Sequence, residues 1–213
     1  MSYFPFFIDL TGKRCVIVGG GKVAFRKVEK LLPFGANIIV IAPEICQELE
    51  QLPITLKKRP FEAEDLHGAF MAITATNDSA LNHQIYELCT ERHILVNSVD
   101  DKPNCGFIFP ALVHENDITI GISTGGTSPV FAKFLKTIIE DELTEDYLQT
   151  AEILKRFRPI VLQKFPTEAQ RKEALEAILD FCLLDENLPD DNEINDLLER
   201  IANAHENQNR NKR

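Results

Sequence analysis

Length, composition and charge set the first limits on what this chain can be. With 213 residues, of which 44% are hydrophobic and 26% charged, it is large enough for one packed domain with a smaller addition. The net charge of −10 is shared equally between residues 1–143 and residues 144–213. Neither part has the excess of Lys and Arg that binding to a phosphate backbone requires, so we expect no nucleic acid as a partner.

The amino-terminal segment and the cysteines indicate the compartment. The opening MSYFPFFIDL has no basic residue before its apolar run, which is interrupted by Pro5, so it does not resemble a secretory signal. No stretch approaches the ~18 apolar residues of a membrane helix. The five cysteines show no CxxC spacing, which argues against a disulfide framework and a zinc site. We therefore predict a reduced, cytoplasmic protein that contacts no membrane.

Short apolar runs alternate with helical patterns from residue 14 to residue 99. The predicted strands are RCVIV (14–18), NIIVI (37–41), ITLKK (54–58), AFMAITA (69–75) and ILVNSV (94–99). Amphipathic helices are predicted at 23–34 and 78–92. Runs this apolar, with helices between them, indicate a parallel sheet that is covered on both faces. The predicted fold class is α/β, with a Rossmann-like doubly wound sheet in residues 1–109.

The pattern changes after residue 100. GFIFPALV (106–113) and DITIGIS (117–123) are separated by a short polar connection at 114–116, which predicts an antiparallel hairpin. A helix is predicted within TGGTSPVFAKFLKTIIEDEL. From residue 144 onwards the patterns are helical, with breaks expected at Pro159, Pro166 and Pro189. We therefore predict a hairpin and helix in residues 110–143 and a small all-helical domain in residues 144–213.

A glycine motif joins the first predicted strand to the first helix. In CVIVGGGKVA, Gly19, Gly21 and Ala24 match G-x-G-x-x-G/A. The first glycine permits a tight turn, and the second lets the backbone approach a pyrophosphate, which the helix amino terminus attracts. A flexible turn without a ligand is the alternative. The strand before the motif and the helix after it favour dinucleotide binding.

The basic residues of the helix that follows are not assigned to the cofactor. Arg26, Lys27 and Lys30 are expected on its solvent-exposed face, while Val28 and Leu31 face the core.

The end of the second strand bears on the choice between NAD and NADP. Glu44 lies three residues beyond Ile41, where an acidic residue commonly accepts hydrogen bonds from the adenosine ribose. No Lys or Arg follows until Lys57, so a 2′-phosphate would lack an obvious cation, and we predict NAD as the cofactor. The alternative is that Glu44 caps the next helix and does not contact the ribose.

The ends of the fourth and fifth strands provide further cofactor candidates. Thr76 and Asn77 follow the fourth strand, at the edge where such sheets bind ligands, and Asn97 lies near the end of the fifth. Asp78 is placed to cap the next helix. Thr and Asn are also ordinary turn formers. The alternative is therefore that Thr76 and Asn77 only form the turn and do not contact the cofactor.

A carboxylate follows the fifth strand. Asp100 near a nicotinamide would serve as a base or as a positioning group. Adjacent side chains on a strand point to opposite faces, so we do not expect Asp100 and Asp101 to act as a pair. The histidines form no HxH or HExxH arrangement, so no metal site is predicted. Cys105 is interpreted as an inert loop cysteine rather than a reactive thiol.

A second glycine turn lies in STGGTSPV, residues 123–130. Thr127 or Ser128 is predicted to cap the following helix, with Pro129 in its first turn. Two glycines before a capped helix form a group of N–H donors that suits carboxylates or phosphates. A capped connection with no ligand is the alternative.

Five stretches together resemble those of one protein family. They are YFPFFIDLTGKRCVIVGGGKVAFRKVEKLL, TATND, VNSVDD, FIFPA and ISTGGTSPV. Their order and spacing resemble precorrin-2 dehydrogenase and the equivalent amino-terminal part of siroheme synthase, over roughly residues 1–143. The resemblance implies NAD-dependent oxidation of precorrin-2 to sirohydrochlorin, with insertion of ferrous iron in some members. It also implies a homodimer built through about residues 110–143, which would make this segment the dimerisation and substrate element.

The resemblance also assigns site residues by position. Lys22 and Val23 fall where the family holds its cofactor after the glycines. Pro43 and Glu44 fall where it meets the adenosine half. Asp100 matches the catalytic aspartate.

For the substrate, the resemblance points to the second glycine turn. Thr124 occupies a position beside the family's substrate pocket. Gly125, Thr127 and Ser128 would then contribute to binding the carboxylates of precorrin-2. Gly106 departs from the family pattern, because many relatives have a polar residue there.

Two other functions stay open. One is a regulatory NAD-sensing module of the kind attached to potassium transport, whose strands also end in turns like TATNDSALN. The stretch from FIFPA to ISTGGTSP and the helical tail have no evident use in such a sensor. The other is an unrelated NAD oxidoreductase with a small substrate.

Overall fold

The chain is described here by a computed structural model, which covers residues 3–99, 101–184 and 187–211. It divides into two compact units, the first ending at Phe109 and the second beginning at Pro110. The three-part division made from the sequence stays a prediction.

The first unit contains a five-stranded parallel sheet with the strand order β3-β2-β1-β4-β5. The strands are β1 (Arg14–Val18), β2 (Asn37–Ile41), β3 (Thr55–Lys57), β4 (Met71–Thr74) and β5 (Leu95–Ser98). Each lies within one of the predicted runs, so the Rossmann-like sheet is confirmed. The strand order changes direction between β1 and β4, which is where sheets of this type bind ligands, at the carboxyl ends of the strands.

Burial on both faces explains why the strands are continuous apolar runs. Alternate residues of β1 pack into two separate clusters: Cys15 and Ile17 into one, and Val16 and Val18 into the other. All four are almost completely buried. A strand that is covered on both sides has no polar face, so its sequence does not alternate.

The helices of the first unit are α1 (Lys22–Leu31), α2 (Gln47–Glu50) and α3 (Ser79–Glu91), and a short 3₁₀ turn follows α1 at Leu32–Phe34. Asp78 caps α3 through a bond from the Leu81 amide, as predicted. The bounds of helix α2 were not predicted. Its N-cap residue is Cys46, so the alternative that Glu44 caps this helix is wrong.

The second unit begins with an antiparallel hairpin, β6 (Ala111–Glu115) and β7 (Ile118–Ile122), followed by α4 (Pro129–Glu142). The predicted first strand, at 106–113, starts too early. The Gly106 amide donates instead to the carbonyl of Val96 in β5, at 2.8 Å. The turn is also shorter than expected, because Asn116 adopts the positive φ of 51° that a tight two-residue connection needs.

Three helices complete the second unit: α5 (Glu145–Lys164), α6 (Glu168–Leu184) and α7 (Asp191–Asn211). They pack around Phe157, Val161 and Ile178. The predicted break at Pro159 is wrong, because α5 runs through it. A proline inside a helix costs about 3 kcal/mol, and the burial of Phe157 and Val161 on either side offsets this cost. No helix among the described residues combines the length and apolarity needed to cross a membrane.

Candidate functional site

The glycine loop lies between the ends of β2 and β4 at the carboxyl edge of the sheet. The Gly19 amide donates to the Ile41 carbonyl at 2.9 Å, and the Cys46 amide donates to the Gly20 carbonyl at 2.8 Å. A Cβ at Gly19 would lie 2.3 Å from the Ala75 carbonyl oxygen. A Cβ at Gly20 would lie 1.9 Å from the Glu44 carbonyl oxygen. The motif leaves position 20 unspecified, yet this glycine is enclosed even more tightly than Gly19.

The amino terminus of α1 has the features of an anion-binding helix end. Gly21 is its N-cap residue, and no described side chain caps the helix or places a carboxylate in its first turn. A Cβ at Gly21 would meet nothing within 4 Å. Lys22 and Val23, the first helical residues, are exposed. The first N–H groups of a helix have no partner inside the helix, so this end fits the pyrophosphate of a dinucleotide.

The end of β2 places Pro43 and Glu44 beside the glycine loop. Both residues are exposed, and the Glu44 backbone lies against Gly20. The structure also brings Lys57 to this edge, because Lys57 pairs with Ile41 and its carbonyl accepts from the Ala42 amide at 3.2 Å. The sequence does not indicate this proximity, since separation along the chain does not measure separation across a parallel sheet.

The end of β4 contains the predicted residues Thr76 and Asn77. The Thr76 hydroxyl donates to Asn82 Oδ1 at 2.7 Å, and Asn82 Nδ2 donates to the Thr76 carbonyl at 3.0 Å. These bonds build the turn that leads into α3. Asn77 is exposed. The contacts indicate a turn-forming role for the Thr76 side chain, and the assignment of both residues to the cofactor stays a prediction.

The end of β5 is organised by Asn97, which is only 6% exposed. Its Nδ2 donates to the Phe107 carbonyl at 2.9 Å and lies 3.5 Å from Cys105 Sγ. Its Oδ1 accepts from Lys27 Nζ at 3.4 Å. The side chain thus ties β5 to residues 105–107, and these contacts indicate a positioning role. Direct binding of the cofactor by Asn97 stays a prediction.

Lys27 is a residue of this edge that the sequence reasoning missed. It was expected on the solvent-exposed face of α1, but it is half-buried. Its Nζ lies 4.1 Å from the centroid of the Phe109 ring, within cation–π range. Nothing in the helical spacing of α1 indicates a partner 82 positions away along the chain.

Asp100, the predicted catalytic residue, lies outside the described residues, but its neighbours are described. The Val99 amide donates to the Thr74 carbonyl at 3.0 Å, and the Asp101 amide donates to the Ser98 carbonyl at 3.3 Å. The Asp101 carboxylate accepts from Asn104 Nδ2 at 2.6 Å. The chain on both sides of position 100 is therefore attached to the ends of β4 and β5.

Cys105 closes this loop as a neutral thiol. Its Sγ donates to the carbonyls of Ser98 and Asp101, at 3.1 and 3.2 Å. Burial raises the pKa of the Cys105 thiol, which disfavours the thiolate. These contacts agree with an inert loop cysteine. Among the described residues, no group of three or more His, Cys, Asp or Glu side chains is arranged to hold a metal ion.

The second glycine turn lies in the second unit. The Ser128 hydroxyl accepts from the Phe131 amide at 3.1 Å, so Ser128 caps α4 as predicted. The Thr124 hydroxyl donates to the Ser128 carbonyl at 3.0 Å, and the Thr127 amide donates to the Thr124 carbonyl at 3.1 Å. Gly125 has a φ of 63°, a conformation that favours glycine. The substrate role of Thr124, Gly125, Thr127 and Ser128 stays a prediction.

Comparisons with known proteins bear on both units. Residues 6–111 match the family model described as "Putative NAD(P)-binding". The siroheme synthase of Zymomonas mobilis is 41% identical over 176 residues, which cover 81% of this chain and 37% of that protein. The siroheme synthase of Pseudoalteromonas translucida is 39% identical over 184 residues, which cover 84% of this chain and 39% of that protein. Over most of its length the chain is therefore similar to siroheme synthases, and residues 6–111 match an NAD(P)-binding family model.

A solved structure agrees with this similarity. The protein named "SirC, precorrin-2 dehydrogenase" superposes with a TM-score of 0.74 at 25% identity, and the match covers 93% of this chain and 98% of that one. By contrast, the chain spans only about two fifths of the length of the siroheme synthases it matches.

We predict that Gly20→Ala destabilises the first unit by about 2 kcal/mol or more, because the new Cβ would overlap the Glu44 carbonyl oxygen. Gly21→Ala is the matched control, since a Cβ at that position meets open space. Its free energy of unfolding should change by less than about 1 kcal/mol. Urea unfolding of the full chain measures both variants. An equal loss of stability in the two variants would contradict the explanation that a Cβ at position 20 overlaps the Glu44 carbonyl oxygen.

We also predict that Asn97→Ala loosens the loop that follows β5, because three polar contacts are lost. The expected cost is about 1–3 kcal/mol. Hydrogen exchange of the Gly106 amide, which bonds to Val96, should become faster. Asn77→Ala removes an exposed amide from the same edge and should leave that exchange unchanged. An Asn97→Ala variant with normal protection at Gly106 would refute the positioning role.

Proposed function

We propose that this chain is an NAD-dependent dehydrogenase that oxidises precorrin-2 to sirohydrochlorin in the synthesis of siroheme. The observation that carries the proposal is the amino terminus of α1, which no described side chain caps and which follows a loop that only glycine can form. The family supplies the substrate, since the relatives are named siroheme synthase and precorrin-2 dehydrogenase. The name precorrin-2 dehydrogenase belongs to the solved structure, and the match covers 98% of that protein.

The residues of the first unit fit the cofactor. The N–H groups at Lys22 and Val23 would hold the pyrophosphate, and Glu44 would accept from the adenosine ribose. The backbone at Thr76 and Asn77 would line the crevice at the end of β4. When bound, NAD⁺ supplies the acceptor for the hydride that leaves the macrocycle.

Asp100 has the proposed catalytic role. Oxidation of precorrin-2 removes a hydride and a proton, so the products are sirohydrochlorin, NADH and H⁺. We assign the proton to Asp100, which would receive it or orient the carbon that loses it. The bonds from Val99 to Thr74 and from Asp101 to Ser98 support this role, because they attach the neighbours of Asp100 to the sheet edge.

The relatives favour this enzyme over the NAD-sensing module that the sequence left open, because their names are those of enzymes of tetrapyrrole synthesis. Insertion of ferrous iron, with the metal as a substrate, is a second activity that the family resemblance implies.

An anaerobic assay tests the proposal. Purified protein with precorrin-2 and NAD⁺ should form NADH and sirohydrochlorin in equal amounts. The absorbance of both products measures their formation. Asp100→Ala should lower turnover by about 100-fold or more, the usual contribution of a general acid or base. Asp78→Asn is the control: it removes a charge from the same edge, while Asn remains a good helix cap.

The outcomes separate the competing functions. NAD⁺ bound without NADH formation would favour the sensor, and NADH formation with only an unrelated small substrate would favour another oxidoreductase. Full turnover by Asp100→Ala would refute its catalytic role. Ferrous iron added at the end of the reaction shows whether the protein accelerates metal insertion above the protein-free rate.

The proposed assembly is a homodimer formed through α4. Four apolar side chains on this helix are exposed: Val130 by 80%, Phe131 by 51%, Phe134 by 56% and Ile138 by 42%. The last three follow helical spacing, and the rings of Phe131 and Phe134 stack 6.2 Å apart. A continuous apolar stripe of this kind marks an interaction surface. The family resemblance makes a second copy of the chain its occupant.

We predict that Phe134→Asp converts the dimer to a monomer, because a carboxylate in an apolar interface would be desolvated without a partner. Light scattering coupled to size exclusion measures the mass. Leu162→Asp, on an exposed leucine of α5, is the matched control and should remain dimeric. A monomeric wild type, or equal dissociation of both variants, would count against the α4 interface.

A further inference from the structure

We propose that Asp65 sets the preference for NAD over NADP by neutralising cations at the adenosine edge of the sheet. The inference rests on the proposed function and deepens it, because it names a specificity-determining residue. Asp65 would act through its neighbours rather than by contact with the cofactor.

The backbone of Lys57 lies at the edge where a 2′-phosphate would be recognised. Lys57 is the last residue of β3, and its carbonyl accepts from Ala42, directly after β2. Arg59 follows two residues later. In dinucleotide-binding sheets, the residue after β2 meets the ribose, and an Arg nearby accommodates the phosphate of NADP. By position alone, Lys57 and Arg59 would therefore predict NADP.

The side chains of both cations are bound to Asp65. Lys57 Nζ lies 2.8 Å from Asp65 Oδ1. Arg59 makes a bidentate pair with Asp65, from Nη1 to Oδ2 at 2.8 Å and from Nη2 to Oδ1 at 2.6 Å. Two parallel bonds of this kind fix the guanidinium in the plane of the carboxylate, so it is not directed at a ligand.

Asp65 is fixed by the fold. It lies in a 3₁₀ turn, Ala63–Leu66, where Glu62 and Asp65 cap each other's amides. The carboxylate is 2% exposed, and the next residue, Leu66, is buried in the core. Burial by itself raises the pKa of Asp65, but the bonds from Arg59 and Lys57 outweigh this effect and hold the pKa below its usual range. The group is therefore negatively charged at neutral pH.

The remaining charges complete the neutralisation. Glu62 lies 3.7 Å from Arg59, and Lys58 pairs with Glu50 of α2. The three consecutive cations at 57–59 are thus matched by three carboxylates, and Glu44 adds an exposed negative charge to the same edge. The cations at 57–59 would therefore offer a 2′-phosphate no net positive charge, whereas the uncharged ribose hydroxyl of NAD is not repelled.

Binding of NADH and NADPH, followed by fluorescence, tests the inference without using turnover. The wild type should bind NADH at least about tenfold more tightly than NADPH. Asp65→Asn should strengthen NADPH binding about fivefold and leave NADH binding unchanged, because Lys57 and Arg59 lose their countercharge. Asp180→Asn makes the same charge change at an exposed site on α6 and should not alter the ratio.

Arg59→Gln provides a second test should Asp65→Asn fail to fold. Arg59→Gln alone leaves one carboxylate without a countercharge, so it should weaken NADPH binding and leave NADH binding unchanged. The combined variant Asp65→Asn/Arg59→Gln removes one charge of each sign and should bind NADPH as the wild type does. Unchanged NADPH affinity in Arg59→Gln, or a gain that persists in the combined variant, would overturn the inference. Equal affinity of the wild type for both nucleotides, or an unaltered ratio in folded Asp65→Asn, would also overturn it. Binding of neither nucleotide would overturn the proposed function, and this inference with it.

Discussion

The candidate site depends on how closely the backbone of Gly19 and Gly20 approaches the ends of β2 and β4. A side chain at either position would come within 2.3 Å of a backbone carbonyl oxygen. This close approach brings the segments that follow three different strands to one edge. It also sets the direction in which α1 leaves the sheet, with its first N–H groups at that edge. The proposed pyrophosphate site is a consequence of this packing.

Several polar residues at the edge hold other parts of the protein in place. Thr76 bonds to Asn82 within its own turn, and Asn97 connects β5 to the loop that returns at Cys105. Lys27 lies against Phe109 instead of in solvent. With these side chains engaged, the proposed cofactor site consists mainly of backbone groups, as expected where a dinucleotide is recognised by amides and a helix dipole. Asp65 extends the same principle, since it acts on the cofactor edge by engaging Lys57 and Arg59.

Features governed by local physical rules could be predicted from the sequence. The five strands are apolar because both faces of the sheet are buried, and Asp78 and Ser128 cap their helices because their side chains reach amides three residues away. Features that depend on contacts distant in sequence could not be predicted. The pairing of Lys57 with Ile41 and the position of Lys27 against Phe109 follow from the assembled sheet. Pro159 was misjudged for a related reason, because the packing of the helices outweighs the local cost of a proline.

Hydrogen exchange of the full chain with and without saturating NAD⁺ tests most directly whether the glycine edge is the cofactor site. The account predicts slower exchange in three segments that are separate in sequence: residues 19–25, residues 42–46 and residues 75–77. Protection confined to the second unit, or no protection in the glycine loop, would contradict it.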